Sequence, residues 1–183
     1  MKQHYRFPLV LLAAVCGVAL CVQPGVAHAD AERAESAPTS ILQADLGLAI
    51  LGIGYERVMS PSWSLRVTGQ YNRTWYTDAD LHAAAVEIRS FWFPMGHGPR
   101  GLYVAPFARV ALVRAQSETV DPTTGPGWTA GVSAGYGFRL GRRLLLRLGA
   151  GFQYWDYEVD AEPENVGLKR PHIGLDLMLG YAW

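Results

Sequence analysis

Gly127-Trp128-Thr129-Ala130-Gly131-Val132-Ser133-Ala134-Gly135-Tyr136-Gly137-Phe138-Arg139-Leu140 is the stretch whose reading decides the fold. Every even-numbered residue in it is apolar or aromatic, and every odd-numbered one is glycine, threonine, serine or arginine. A period of two is the signature of a β-strand, whose successive side chains point to opposite faces. Trp128 near one end of the apolar face, with Tyr136 and Phe138 near the other, puts aromatic rings where a strand would cross the two surfaces of a hydrocarbon layer.

The same design recurs on both sides. Leu144, Leu146, Leu148, Ala150, Phe152 and Tyr154 alternate with Arg147, Gly149, Gly151 and Gln153, after a tight turn at Gly141-Arg142. Upstream, Ala84, Val86, Ile88 and Trp92 oppose Glu87 and Arg89, and Val104, Ala108 and Val110 oppose Tyr103, Phe107 and Arg109. Leu65, Val67 and Tyr71 oppose Arg66, Thr68, Gln70 and Asn72. At the far end Ile173, Leu175, Leu177, Leu179, Tyr181 and Trp183 alternate with Gly174, Asp176 and Gly180. A terminal strand ending on an aromatic resembles the assembly signal of bacterial outer-membrane barrels, which predicts engagement of the barrel-assembly machinery through Trp183.

Short connections around Ser60-Pro61, Pro94 to Gly101 and Gly141-Arg142 alternate with longer ones near Thr77 to Asp80, Glu118 to Pro126 and Glu158 to Arg170. In a membrane barrel the short turns face the periplasm and the long loops the outside. Six strands follow Trp63, and an even number must precede it for both termini to be periplasmic. Ile41 to Ala49 and Gly52 to Val58 then form a first hairpin, for an eight-stranded antiparallel up-and-down transmembrane β-barrel over residues 41–183. An interior of eight strands holds side chains and no open channel.

Ahead of the barrel, Lys2 and Arg6 precede an apolar run from Phe7 to Cys21 and the small-residue ending Ala27-His28-Ala29, the anatomy of a signal peptide over residues 1–29. Residues 30–40, acidic and alanine-rich, read as a disordered periplasmic lead. Both cysteines, Cys16 and Cys21, fall within the signal, so the exported chain has neither a disulfide framework nor a thiolate metal site. Leu20 stands where lipid attachment at Cys21 would call for a small residue. Of sixteen basic and sixteen acidic residues, Lys2 and Arg6 leave with the signal, so fourteen face sixteen. That near-neutral balance excludes a nucleic-acid surface, and no cofactor is expected.

The alternation assigns Asp45, Glu56, Glu87 and Asp176 to the interior with Arg66, Arg89, Arg109, Arg139 and Arg147. Buried charges persist only when paired, so these nine are expected to form a lumenal salt-bridge network. Outward Trp63, Trp75, Trp92, Trp128, Tyr136, Phe138, Tyr154, Tyr181 and Trp183 are candidates for interfacial girdles against outer-membrane lipid and lipopolysaccharide. The inward glycines Gly131, Gly135, Gly137, Gly149 and Gly151 are expected to make room for Phe93, Phe107 and Trp155.

Four segments carry a family resemblance: Gly54-Tyr55-Glu56-Arg57 with Ser60-Pro61 and Trp63-Ser64-Leu65; Glu87-Ile88-Arg89 with Phe91-Trp92-Phe93; Gly127-Trp128 through Gly135-Tyr136-Gly137-Phe138; and Tyr154-Trp155-Asp156-Tyr157. Together they resemble a family of uncharacterised bacterial outer-membrane β-barrel proteins, a domain of unknown function. The resemblance implies an outer-membrane barrel and supplies no reaction.

The expected role is a monomeric, non-enzymatic barrel that is structural or binds through its outer loops. Competing readings are a lipid-modifying enzyme of the lipid A deacylase or acyltransferase type, a narrow pore, and a soluble periplasmic barrel. For the enzyme the sequence offers His172, Ser117, Glu118 and His82 with no spacing that ties them together. Asp156, Glu158, Asp160, Glu162 and Glu164 form an acidic run read either as a solvated face or as a collector of divalent cations.

Overall fold

The computed structural model describes residues 39–47, 50–74, 80–116, 121–160 and 165–183; the expected signal and most of the lead lie outside them. Eight strands follow in order: β1 Ser40–Gly47, β2 Ile50–Ser60, β3 Trp63–Thr74, β4 Asp80–Trp92, β5 Gly101–Gln116, β6 Thr123–Leu140, β7 Leu144–Asp156 and β8 Lys169–Ala182. Each pairs antiparallel with its neighbour in sequence, and β8 closes onto β1 as a barrel. The first hairpin is two strands, and the first of them takes Ser40 from the expected lead.

Closure involves a stagger. From Ile41, paired residues lead through Glu56, Arg66, Arg89, Phe107, Gly131 and Gln153 to His172, whereas Ile41 itself pairs with Ala182 across the seam, ten residues further along β8. Strand number and stagger together set the tilt and the radius, and eight strands leave an interior that side chains fill.

Alternation fixes which side chains those are. Exposed residues on β2, β6 and β8 include Ile53 at 69%, Val132 at 45% and Ile173 at 80%, while Glu56, Arg66 and Arg147 are fully buried. An outward belt of leucine, isoleucine, valine and aromatic residues over the whole wall far exceeds the apolar patches of water-soluble monomers. A soluble barrel would reverse this arrangement, with its leucines packed inside and its arginines outside.

Three apolar clusters share the interior with the charges. Ile41, Leu145 and Ala182 pack at the end holding the short turns. Phe91, Phe93, Tyr103, Ala105 and Met178 form a second group. At the opposite end Leu81, Ala83, Val113, Ala115, Trp155, Tyr157, Val159, Val166 and Leu168 make the largest. This last cluster corrects the reading of residues 158–170 as an exposed loop. The β7–β8 hairpin continues past the wall, with Tyr157 N–H donating to the Leu168 carbonyl (2.9 Å) and Val159 bridging Val166, so alternate residues turn inward and cap the lumen. Similarly, Thr123 to Pro126, read as loop, belong to β6, paired with β5 residues Leu112 to Ala115.

The short turns are not mere connectors either. Gly98 N–H donates to the Pro61 carbonyl (2.8 Å) and Phe93 N–H to the Ser62 carbonyl (2.9 Å), folding residues 93–100 against the β2–β3 turn with Phe93 and Pro99 buried. At the β6–β7 turn Gly141 adopts φ +72°, a conformation a side chain disfavours.

The inward glycines of β6 and β7 admit Tyr103 and Phe107. A Cβ at Gly135 would stand 2.6 Å from the Tyr103 hydroxyl, and one at Gly131 would stand 2.8 Å from the Phe107 ring. Phe93 instead lies over Gly98, and Trp155 joins the outer cap, so neither is what those five glycines accommodate. Gly135→Ala should therefore destabilise the barrel by about 1–3 kcal/mol, since the backbone of Gly149, 2.7 Å from the new atom, cannot yield. Gly69→Ala, which points outward into open space, should leave stability unchanged or raise it slightly; urea titration of the protein refolded in detergent micelles compares the two.

Candidate functional site

The chemistry of this chain is concentrated inside the barrel, where strand pairing sets charged residues beside one another. Glu56, Arg66 and Arg89 share one row of the sheet, and Glu87 pairs with Arg109 across β4 and β5. Side chains of neighbouring strands on one face lie close enough to interact directly.

Glu87 is the hub. It is fully buried and accepts from Arg66 Nη2 (2.9 Å), Arg89 Nε (2.8 Å) and Arg109 Nη2 (2.7 Å). Arg66 also donates to Asp45 (2.7 Å), and Arg89 to Asp176 (2.6 Å) and Ser133 Oγ (3.2 Å). Glu56 anchors the second half, receiving both Nη atoms of Arg147 at 2.6 and 2.9 Å in the paired geometry that suits a guanidinium to a carboxylate. Ser64 Oγ (2.5 Å) and Gln43 Nε2 (2.6 Å) complete its shell. Gln43 links the two halves, since its carbonyl oxygen accepts from Arg66 Nη1 (3.0 Å).

Guanidinium faces left over from hydrogen bonding rest on aromatic rings. Arg147 lies 4.2 Å from the Phe91 ring centre and Arg89 lies 4.4 Å from that of Phe107. Such stacking stabilises a cation that water cannot reach. Arg147 Nη2 further donates to the Pro99 carbonyl (3.2 Å), tying the network to the turn that folds beneath the barrel.

The structure places eight of the nine expected lumenal residues in this network and corrects the ninth. Arg139 has the inward parity of its strand, yet it lies one residue from the end of β6, where the wall has run out. It is exposed and donates to the Arg142 carbonyl (2.7 Å). Without it the lumen holds, among the described residues, four carboxylates and four guanidiniums. Gln43, Ser64 and Ser133 join the network without carrying charge, and the signal in the sequence is that each has the parity of an inward residue in its strand.

Outward aromatics fall at two levels. Trp128 and Tyr154 contact each other (ring centres 5.7 Å) near the end capped by the β7–β8 hairpin. Tyr136 with Phe138 (4.7 Å), Tyr181 with Trp183 (6.2 Å), and Trp63 paired with Trp92 across β3 and β4 lie towards the end with the short turns. Trp75 lies outside the described residues.

Residues considered for catalysis are not brought together. His172 is inside near the outer cap, its ring 5.1 Å from that of Trp155, with Arg170 Nε 3.2 Å from its Nε2. His82 is on the outer face, hydrogen-bonded to Tyr71, and Ser117 and Glu118 lie outside the described residues. In the acidic run, Asp156 pairs with Lys169 (3.3 Å) and Glu158 accepts from Asn165 (3.1 Å); Glu162 and Glu164 lie outside the described residues. Among the described residues no group of three or more acids, histidines or cysteines could hold a metal ion.

A closed antiparallel wall with lipid-compatible side chains outside and a packed ionic interior defines a small transmembrane β-barrel. Residues 36–170 match a family model described as "Protein of unknown function (DUF3575)", and the chain belongs to that family. No curated protein matches it. Among solved structures, it is similar to the N-terminal β-barrel domain of Pseudomonas aeruginosa OprF, at 11% identity and a TM-score of 0.50, over 81% of this chain and 100% of that one. It is likewise similar to Neisserial surface protein A, at 15% identity and a TM-score of 0.50, over 81% of this chain and 100% of that one. At such identities the likeness is one of fold.

Glu87→Gln should destabilise the barrel by about 3–5 kcal/mol, because it removes the buried negative charge that three guanidiniums share and leaves Arg66 and Arg89 with Asp45 and Asp176 alone. Arg139→Gln, at the exposed turn, should change stability by less than about 0.5 kcal/mol. Equilibrium urea unfolding in micelles measures both.

Proposed function

We propose that this protein is a monomeric, non-conducting barrel of the bacterial outer membrane, exported by cleavage after residue 29, with a structural or surface-binding role carried by its outward rim. The observation that carries this reading is the charge balance of the lumen, where among the described residues four carboxylates are paired with four arginines. Apolar packing supports it at both ends, with the Trp155 to Leu168 cap above and the Phe93–Pro99 turn below. A filled interior leaves the rim as the part able to meet partners, and there the β7–β8 hairpin stands beyond the wall with Glu158 and Asp160 on its exposed face. Lipid and lipopolysaccharide contact the apolar belt, and the strand ending at Trp183 engages the barrel-assembly machinery. The role is one of binding rather than catalysis.

Fractionation and electrophysiology test the proposal together. The protein is expected to sediment with outer membranes, to shift its gel mobility on heating, and to give no discrete conductance steps in a planar bilayer. Recovery as a soluble periplasmic monomer, or stepwise conductance, would reject it.

A further inference from the structure

The rim with the short turns carries an unusual charge pattern. Its described stretches, residues 39–40, 57–63, 93–101, 139–144 and 181–183, contain Arg57, Arg100, Arg139, Arg142 and Arg143 and no aspartate or glutamate. The opposite rim mixes both signs, with Asp121, Asp156, Glu158 and Asp160 beside Arg114, Lys169 and Arg170.

Two of these arginines are built into one outward patch that crosses the barrel seam. Arg57, at the end of β2, donates from Nη1 to Ser40 Oγ (3.1 Å), which is also hydrogen-bonded to the Tyr55 hydroxyl (2.9 Å). The Tyr55 ring neighbours that of Trp183 (6.5 Å), and Trp183 neighbours Tyr181 (6.2 Å). Arg143 closes the row from the β6–β7 turn, donating from Nη1 to the Tyr181 hydroxyl (2.7 Å) with its guanidinium 5.8 Å from that ring. Ser40 is buried beneath the patch, while the two arginines and three aromatic rings are exposed.

Neutral oxygens orient these two guanidiniums without neutralising them. Among the described residues neither has a carboxylate side chain within ion-pair distance, in contrast to the lumenal arginines, and each guanidinium has five N–H donors. Exposed tyrosine and tryptophan beside them mark the boundary between acyl chains and headgroups, the depth at which lipid phosphates lie. A guanidinium matches a phosphate with two parallel hydrogen bonds, and the long apolar stems of arginine suit that boundary.

We infer that Arg57, Tyr55, Trp183, Tyr181 and Arg143 form a binding site for the phosphodiester headgroup of an anionic phospholipid in the periplasmic leaflet. Either arginine can take the phosphate in paired hydrogen bonds, and the aromatic row between them lies against the glycerol and upper acyl chain. A zwitterionic lipid places its own cation beside the same arginines and binds less well. This inference rests on the placement of the barrel in the outer membrane proposed above.

The test uses protein purified from membranes, exchanged into detergent micelles and checked for heat-shifted mobility, then mixed with equal amounts of phosphatidylglycerol and phosphatidylcholine. Native mass spectrometry counts the lipids retained. Phosphatidylglycerol should be retained several-fold over phosphatidylcholine, with Arg57→Gln/Arg143→Gln reducing the ratio to about one and Arg114→Gln on the opposite rim leaving it intact. Equal retention by the unaltered protein overturns the inference, as does a preference that the double variant keeps. A preference that appears only when residues 30–37 are deleted also overturns it, because the chain's own acidic lead would then be the occupant. Failure to insert into lipid at all would instead strike the proposed function.

Discussion

Backbone hydrogen bonding is the constraint from which the rest of this structure follows. In hydrocarbon an unpaired N–H or C=O group costs several kcal/mol, so a sheet that enters lipid must close on itself. Closure with eight strands fixes a narrow interior, and the two-residue period of the strand divides every side chain between that interior and the surroundings. The unusual composition of each face, leucine and tryptophan outside and arginine and glutamate inside, is the consequence of that division.

A narrow interior also explains why the charges form one connected set. Glu87 could not be buried beside a single arginine without leaving other guanidiniums unmatched, and here it serves three while Asp45 and Asp176 each take a further donor, from Arg66 and Arg89 respectively. Amides and hydroxyls fill the gaps that charges leave: Gln43 joins two ion-pair groups that would otherwise be separate, and Ser64 and Ser133 each complete one shell. Glycine on β6 and β7 contributes by absence, since Tyr103 lies over the two strands beside its own only because Gly135 and Gly149 have no side chain.

The strands and their faces were legible in the sequence because alternation is a local property, readable within ten residues of any position. Depth along a strand is not local. Arg139 has the same parity as Ser133, yet Ser133 lies in the lumen while Arg139, one residue from the end of β6, turns out to the Arg142 carbonyl of the adjoining turn. The outer cap was hidden for a different reason. Tyr157, Val159, Val166 and Leu168 alternate as strictly as any wall strand, but acidic residues and Pro163 intervene and give the segment the composition of a solvated loop. Conversely Gln43 is legible in principle, two residues before Asp45 on the same face, but an uncharged amide does not by itself signal an ion-pair network.

The wall is far from uniform around its circumference. Fifteen residue pairs join β5 to β6, whereas only five join β1 to β8, from Ile41 with Ala182 to Asp45 with Met178. With the backbone hydrogen bonds between Ser40 and Trp183 they connect the two most distant described parts of the chain, so the seam carries the largest loop-closure entropy among the described residues. A cask springs first along its shortest joint, and here that joint is the seam where the two ends of the barrel meet.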